Sequence, residues 1–275
     1  MSVIANNRFL QRTNPTMLAA IDDGGSVLDR VFIQHAARDM VDRDIWKHLF
    51  GWYDDGLVET RTSGSDLYVP KCYDLSGNGH DAEQTSTGLQ PLLTSTGMQF
   101  ADTQWIANTG VNAELNGSSA VTVQFWVYPT SFSSNRNYCF LFNNGTNVTL
   151  SFQFWRSTGR MFSFLRSQAA DTVQQILSAS GTTGTLNTWQ MITVIADCTN
   201  KWLRIYRNTT KVAEGTSLSL GSDTFVSTSQ ISYIMGHPTT GASLVGKMRD
   251  IRSYKADLED EITTSFNNNK SRYGL

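Results

Sequence analysis

Apolar and polar residues alternate along the middle of the chain. In the segment 121–128, every second residue is Val or Phe, and the residues between them are Thr, Gln, Trp and Tyr. Such alternation is typical of a β-strand that turns one face towards a core. Pro129, which cannot donate a ladder hydrogen bond, marks the end of this strand.

Further short segments of the same character follow, separated by polar turns. The clearest turn is Asn143-Asn144-Gly145, which predicts a hairpin between its flanking segments. The predicted strands after the first one cover residues 138–142, 149–155, 161–165, 189–196, 202–206, 211–213, 231–235 and 243–254. Many short strands in series predict an all-β fold, an antiparallel two-sheet jelly-roll sandwich, rather than a parallel α/β sheet.

The N-terminal part has a different period. Apolar residues recur every three or four positions across residues 26–53, which predicts one or two amphipathic helices with Ser26 as the N-cap. The apolar stripe of this helical segment could pack on the jelly roll of its own chain or on a neighbouring subunit. Residues 1–20 show no period, and we expect an extended arm there.

The C-terminal part predicts one short helix. Leu258, Ile262 and Phe266 are spaced four residues apart and therefore share one helix face. Asp257 precedes them and is suited to cap the helix. We expect this helix to pack against the strands before it.

Composition narrows the classes of function. The chain has 275 residues, of which 40% are hydrophobic and 17% charged, and its net charge is −2. This balance provides no general field for nucleic acid or anionic membranes. No apolar run approaches the roughly 18 residues of a transmembrane helix, and the first residues lack a secretory signal pattern. The three widely spaced cysteines predict free buried thiols in a protein made in a reducing cytoplasm.

Three stretches carry a family resemblance when they are taken in order: YDLSGNGHDA at 73–82 with GMQF at 97–100, VTVQFWVYP at 121–129 with TWQMITV at 188–194 and LRIY at 203–206, and GKMRDIRSY at 246–254. This order resembles the laminin-G-like jelly roll of the concanavalin A-like lectin/glucanase superfamily, over about residues 60–266. The first stretch is also similar to proteins of tailed-phage virions. We therefore predict an N-terminal arm and helical attachment segment over 1–58 and a jelly-roll domain over 59–275.

The turn that begins at Asp74 is a candidate calcium site. Oxygen-bearing side chains occupy its first, third and fifth positions, as at the start of a calcium-binding loop. The carboxylate expected at the twelfth position is absent, since Thr85 stands there. The candidate ligands are Asp74, Asn78 and Asp81. Calcium is the one cofactor for which the sequence offers a candidate site. The alternative is an Asx-rich turn that needs no metal.

Catalysis has no signature in the sequence. The six glutamates lack the spacing of a glycosidase acid pair, and no Gly-x-Ser-x-Gly or His-Glu-x-x-His motif is present. We therefore predict no catalytic residues. Sugar binding needs an aromatic platform beside polar groups, and the candidate glycan-binding residues are Trp155, Trp105 and Tyr138, each of which lies beside polar loops.

The resemblance and these features predict a non-enzymatic structural protein of a phage-like virion, which decorates the capsid or belongs to the tail. Its jelly roll is expected on the virion surface, where it binds host surface polysaccharide, and its N-terminal segment is expected to bind other virion proteins. A purely structural decoration or joining protein without ligand is the alternative, and a glycan hydrolase is the least favoured class. We expect a homo-oligomer with neither nucleic acid nor membrane as partner.

Overall fold

The computed structural model describes residues 26–27, 30–132, 137–144, 147–228, 230–238 and 243–275. Their strands pair antiparallel and form two packed layers, which confirms the predicted all-β jelly-roll sandwich. A helix packs on the sandwich near each end of the described chain. The arm predicted over residues 1–20 lies outside the described residues.

The first sheet is built around the longest strand and its two neighbours. In spatial order it contains β2 (Leu49–Tyr53), β18 (Val245–Tyr254), β9 (Ala120–Ser131), β14 (Gln190–Asp197), β15 (Trp202–Arg207) and β16 (Thr210–Gly215). The strands β9 and β18 are far apart in the sequence, and their pairing joins the middle of the chain to its C-terminal part.

The second sheet carries the three candidate glycan-binding residues. In spatial order it contains β13 (Gln174–Leu177), β12 (Arg160–Leu165), β11 (Asn147–Trp155), β10 (Asn137–Asn144), β17 (Ser232–Gly236), β8 (Trp105–Asn108), β5 (Ala82–Glu83), β4 (Asp66–Cys72), β3 (Leu57–Ser63) and β1 (Ser26–Val27). The strands β6 (Leu92–Thr94) and β7 (Gly97–Phe100) connect β4 to β18 and so link the two sheets.

The main core lies between the two sheets. Phe125 of β9 contacts Phe140 of β10 and Phe152 of β11 across the layers, with ring centroids 5.7 and 5.3 Å apart. The alternating residues of the segment 121–128 point into this core and are at most 1% exposed. The alternation in the sequence therefore located the inward face of β9 correctly.

The N-terminal helix α1 (Arg30–Asp42) packs on the β-sandwich of its own chain. Ile33 and Met40 lie in one buried cluster with Trp52 of β2 and Tyr254 of β18. The apolar stripe of the helical segment therefore packs on the jelly roll of its own chain, which was one of the two alternatives. A single turn of 3₁₀ helix (Trp46–His48) leads from α1 into β2.

The prediction of helix across 26–53 is wrong at both ends. Residues 49–53 form strand β2, and 26–27 pair with 57–58. All five residues of β2 are buried, because the β2 strand lies between the main core and the helix α1. A continuous apolar run of this kind has no strand-like alternation, so its period does not distinguish strand from helix.

The C-terminal helix α2 (Ile262–Asn269) confirms the predicted helix and lies between two 3₁₀ turns, Glu259–Glu261 and Lys270–Tyr273. The Asp257 carboxylate accepts a hydrogen bond from the Glu259 amide at 3.0 Å, in the 3₁₀ turn before α2. It does not cap α2 itself, whose N-cap position is Glu261. The remaining 3₁₀ turns are Thr87–Leu89, Val111–Leu115 and Arg156–Thr158. Of the helices described, none is long and apolar enough to cross a membrane.

Candidate functional site

The Asp74 side chain holds its turn together through hydrogen bonds within the chain. Oδ1 accepts from the amides of Trp52 and Ser76 at 3.2 and 2.9 Å. Oδ2 accepts from the Ser76 hydroxyl at 2.8 Å and from the His80 amide at 3.1 Å. A carboxylate offers about four lone-pair positions, so all those of Asp74 are engaged by protein donors.

The other two candidate calcium ligands also have partners in the protein. Asp81 accepts from the Asp74 amide at 2.8 Å and pairs with the Lys71 ammonium at 2.8 Å. The Asn78 amide group donates to the Phe50 carbonyl at 3.3 Å. In the described ranges, no group of three or more His, Cys, Asp or Glu side chains is arranged to hold a metal ion. The geometry adds no support to the calcium site, which stays a prediction.

The three candidate glycan-binding residues lie on one face of the second sheet. This face is opposite to the main core, and a chain of ring contacts crosses it. The successive centroid distances are 4.8 Å for Trp155–Phe162, 4.7 Å for Tyr138–His237, 5.3 Å for His237–Tyr233 and 5.4 Å for Tyr233–Trp105. We call these six side chains the aromatic row. The structure therefore brings Trp155, Trp105 and Tyr138 onto a common surface.

Strand register explains how the aromatic row continues between Phe162 and Tyr138. Gln153 of β11 is directly opposite Tyr138 of β10 on one side and Phe162 of β12 on the other. Residues directly opposite each other in adjacent strands point to the same face. The two halves of the row thus meet at Gln153, and the Arg156 guanidinium lies 4.8 Å from the Trp155 ring at one end.

The rings of the row differ in exposure. Trp155, Trp105, Tyr233 and His237 are partly exposed, whereas Tyr138 and Phe162 are buried. Burial raises the pKa of the Tyr233 hydroxyl. The indole Nε1 of Trp105 is buried and has no hydrogen-bond partner in the part of the chain that the structure describes. A surface of this kind offers apolar ring faces together with unused hydrogen-bonding capacity.

Sequence reasoning did not identify Phe162, Tyr233, His237 or Gln153 as members of this surface. The signal available was the alternation of β11, in which Thr149, Ser151 and Gln153 separate core residues of the opposite face. That alternation indicates which residues share the outer face of one strand. It does not indicate which strands lie beside it.

A family model for the concanavalin A-like lectin/glucanases superfamily, of the laminin-G type, matches residues 95–262. The match covers more than half of the chain. The chain belongs to this superfamily. Among curated proteins, no relative matches.

Solved structures with the fold of this superfamily domain include binding domains of bacterial toxins. The binding domain of Paraclostridial Mosquitocidal Protein 1 is 16% identical with a TM-score of 0.56, and the match covers 81% of this chain and 52% of that one. For the botulinum neurotoxin serotype D binding domain the identity is 13%, the TM-score 0.59 and the coverage 82% and 52%. The chain thus spans about half the length of these proteins, and the likeness shows the shared fold.

A further neighbour of this superfamily domain was solved with a sugar. It is the serotype D ligand binding domain in complex with N-acetylneuraminic acid, 14% identical with a TM-score of 0.54, with coverage of 82% of this chain and 52% of that one. Because only half of that protein is matched, its complex does not indicate where a sugar would lie on this superfamily domain.

A second group of interacting polar side chains in this superfamily domain is a buried cluster of ion-paired Asp and Arg residues. Arg272 donates to both oxygens of Asp54 at 2.6 and 2.9 Å and to Asp55 at 3.0 Å. Arg249 donates to Asp55 at 2.9 Å. On the adjacent stretch of β18, Asp250 is paired with Arg252 and accepts from the Trp52 indole at 2.9 Å.

The carboxylates of this cluster differ in acidity. Burial and the neighbouring Asp54 charge raise the pKa of Asp55 to about 6. Burial also opposes ionisation of Asp54, but its pKa is lowered because the charge and hydrogen bonds of Arg272 outweigh that effect. All three carboxylates are at most 3% exposed. Their unequal pKa values therefore arise from burial together with the charges of their neighbours. The cluster joins β2, β18 and the C-terminal turn.

Proposed function

We propose that this chain is a non-enzymatic carbohydrate-binding protein whose jelly roll binds host surface glycans from the surface of a phage-like virion. The observation that carries the proposal is the aromatic row. Partly exposed rings lie along one sheet face, and hydrogen-bonding side chains lie between and beside them. Stacking on rings combined with a few polar contacts is the general means by which proteins hold such ligands.

The toxin domains support the class of function. They are binding domains with the same fold, and one is known in complex with N-acetylneuraminic acid. At this low identity the fold is all they share with the chain, and one fold hosts many functions. The position of the proposed glycan-binding site therefore rests on the aromatic row alone.

The virion setting rests on the resemblance of residues 73–82 to virion proteins. In this proposal the N-terminal segment attaches the protein to the capsid or tail, and the protein is a homo-oligomer. The apolar face of α1 packs on its own sandwich. Attachment would therefore use the outer face of α1 or the residues before 26.

Binding of the full-length protein to a panel of polysaccharides tests the proposed function. The panel contains dextran, mannan, hyaluronan, colominic acid and purified O-antigen lipopolysaccharide. We expect saturable binding to at least one of them. We also expect Trp155→Ala to weaken that binding about fivefold, since a stacked ring contributes on the order of 1 kcal/mol.

The matched control is Trp189→Ala. Trp189 is also a partly exposed tryptophan in ring contact, with Tyr273 at 5.2 Å, but it lies beside the first sheet. Its loss should leave the affinity within about twofold of that of the wild type. A folded wild-type protein that binds no member of the panel contradicts the proposal and favours a structural decoration protein. Release of reducing ends from a bound polysaccharide contradicts the non-enzymatic assignment.

A further inference from the structure

Three successive outward-facing side chains of β11 are buried without hydrogen-bond partners. They are Thr149, Ser151 and Gln153, with relative exposures of 3%, 0% and 0%. The Thr149 and Ser151 hydroxyls and both polar atoms of the Gln153 amide have no partner among the described residues. We call these three residues the polar ladder.

The neighbours of the polar ladder explain its burial. Gln153 lies between Tyr138 and Phe162, and Ser151 lies between Leu141 and Phe164. Side chains directly opposite each other have Cβ atoms only about 5 Å apart. The larger side chains therefore close over the shorter ones. The ladder forms a floor that lies beneath the aromatic row at Gln153 and continues beneath the adjoining Leu141 and Phe164 at Ser151.

Such a floor is unfavourable for a protein without a ligand. Buried polar groups nearly always have hydrogen-bond partners, and one without a partner destabilises the folded state. An apolar side chain of similar size at position 153 would avoid this cost. Groups that violate the rules of packing in a native protein are concentrated at functional sites.

We propose that Thr149, Ser151 and Gln153 are the hydrogen-bonding floor that recognises the sugar bound on the aromatic row. This inference rests on the proposed function and names the contacts of the same site. All three side chains are uncharged and can both donate and accept. They therefore suit the neutral hydroxyl and acetamido groups of a glycan.

The geometry also gives the shape of the ligand. Alternate residues of a strand are spaced about 7 Å apart, so the ladder extends about 13 Å along β11. A floor of this length contacts several consecutive units of a linear glycan rather than one terminal sugar. Because the polar atoms are covered, binding requires the Tyr138 or Phe162 ring over Gln153 and the Leu141 or Phe164 side chain over Ser151 to turn aside. Movement of Phe162 alters the surroundings of Trp155, which stacks on it with centroids 4.8 Å apart.

The test compares Gln153→Met with Gln124→Met, using the panel polysaccharide that the wild type binds most tightly. Gln124 is also buried with an unpartnered Nε2, but it lies on β9 beneath the C-terminal helix, in a small cavity beside Asp250 and Arg252. We expect Gln153→Met to lower the affinity at least tenfold and Gln124→Met to change it less than twofold. The melting temperature of Gln153→Met should equal or exceed that of the wild type.

The outcomes separate this inference from the proposed function. Wild-type binding with unchanged affinity in Gln153→Met overturns the floor and leaves the proposed function standing. A lower melting temperature of Gln153→Met, with no polysaccharide present, also overturns it, since Gln153 would then have a stabilising partner. A folded wild type that binds no member of the panel overturns both. A change of Trp155 fluorescence on titration, absent in Trp155→Phe, supports the turning of the rings.

Discussion

Asp74 shows how one side chain can organise a turn. Its carboxylate receives donors from β2, from Ser76 and from the His80 amide, and so ties the turn to the first sheet. The same residue types at the same spacing would suit a calcium loop. The difference lies in where the backbone amides point, which the residue pattern does not contain.

We expect Asp74→Ala to lower the free energy of unfolding by about 3 kcal/mol. The substitution removes the acceptor for several donors and leaves buried amides without partners. Urea denaturation measures the change. Asp66→Ala, at an exposed hairpin position, is the control and should change the free energy by less than about 0.5 kcal/mol. Equal midpoints for the two variants would contradict this role of Asp74, and a calcium-dependent rise in wild-type melting temperature would support the predicted metal site.

At the scale of elements, the C-terminal segment 259–273 packs on the outer face of the first sheet, and we call this segment the clasp. The Tyr273 ring stacks on Trp126 with centroids 3.9 Å apart, and Asn269 accepts from Arg252 at 3.2 Å. This explains why the outward face of β9 is buried as well as its inward face. Short 3₁₀ turns before and after α2 bring Glu259 to Arg204 and Tyr206, and Arg272 to Asp54.

Arg272→Ala should destabilise the protein by about 3–5 kcal/mol, because it leaves the buried Asp54 carboxylate without its bidentate partner. Thermal and urea unfolding both measure this effect. Lys270→Ala in the same 3₁₀ turn removes an exposed hydrogen bond to Asn267 and a contact of the ammonium with the Phe266 ring at 5.7 Å, and should cost less than about 1 kcal/mol. A small effect of Arg272→Ala would mean that the clasp does not depend on this ion pair.

At the scale of the whole molecule, the ion cluster connects distant parts of the chain. Asp54 and Asp55 follow β2, Arg249 lies on β18 and Arg272 lies three residues before Leu275. Loss of the ion cluster removes contacts of both the clasp and the first sheet. Global stability should therefore report the protonation of this cluster.

The titration of Asp55 should contribute a loss of about 2 kcal/mol of folding stability as the pH rises from about 4 to 6. Burial and the Asp54 charge raise the pKa of Asp55 to about 6, whereas the pKa of an unfolded aspartate is near 4. In this interval the folded state holds a proton that the unfolded chain has released, so a rising pH favours unfolding. Urea unfolding at several pH values measures the slope.

Asp55→Asn should abolish most of this slope, because the amide does not titrate. Asp66→Asn, an exposed position, should retain the slope of the wild type. Equal pH slopes for the wild type and Asp55→Asn would contradict the assignment of Asp55.

The sequence by itself determined the features that depend on neighbours along the chain. Alternation located most of the strands after residue 120 and the inward face of β9, but not the strands before it. The spacing of Leu258, Ile262 and Phe266 located α2, and ordered motifs identified the superfamily. It also supplied three ring-bearing candidates for the aromatic row. These signals are local because side-chain direction repeats with the period of each element.

Only the tertiary structure decided what lies on the second face of each element. Residues 49–53 became a strand because a helix covers one face and the core the other. Tyr138, Trp155 and Trp105 share a surface because β10, β11 and β8 lie in one sheet. The unpartnered polar ladder and the ion cluster likewise result from packing between segments far apart in sequence. Burial and pairing at such places depend on which elements meet, and a local period carries no information about that.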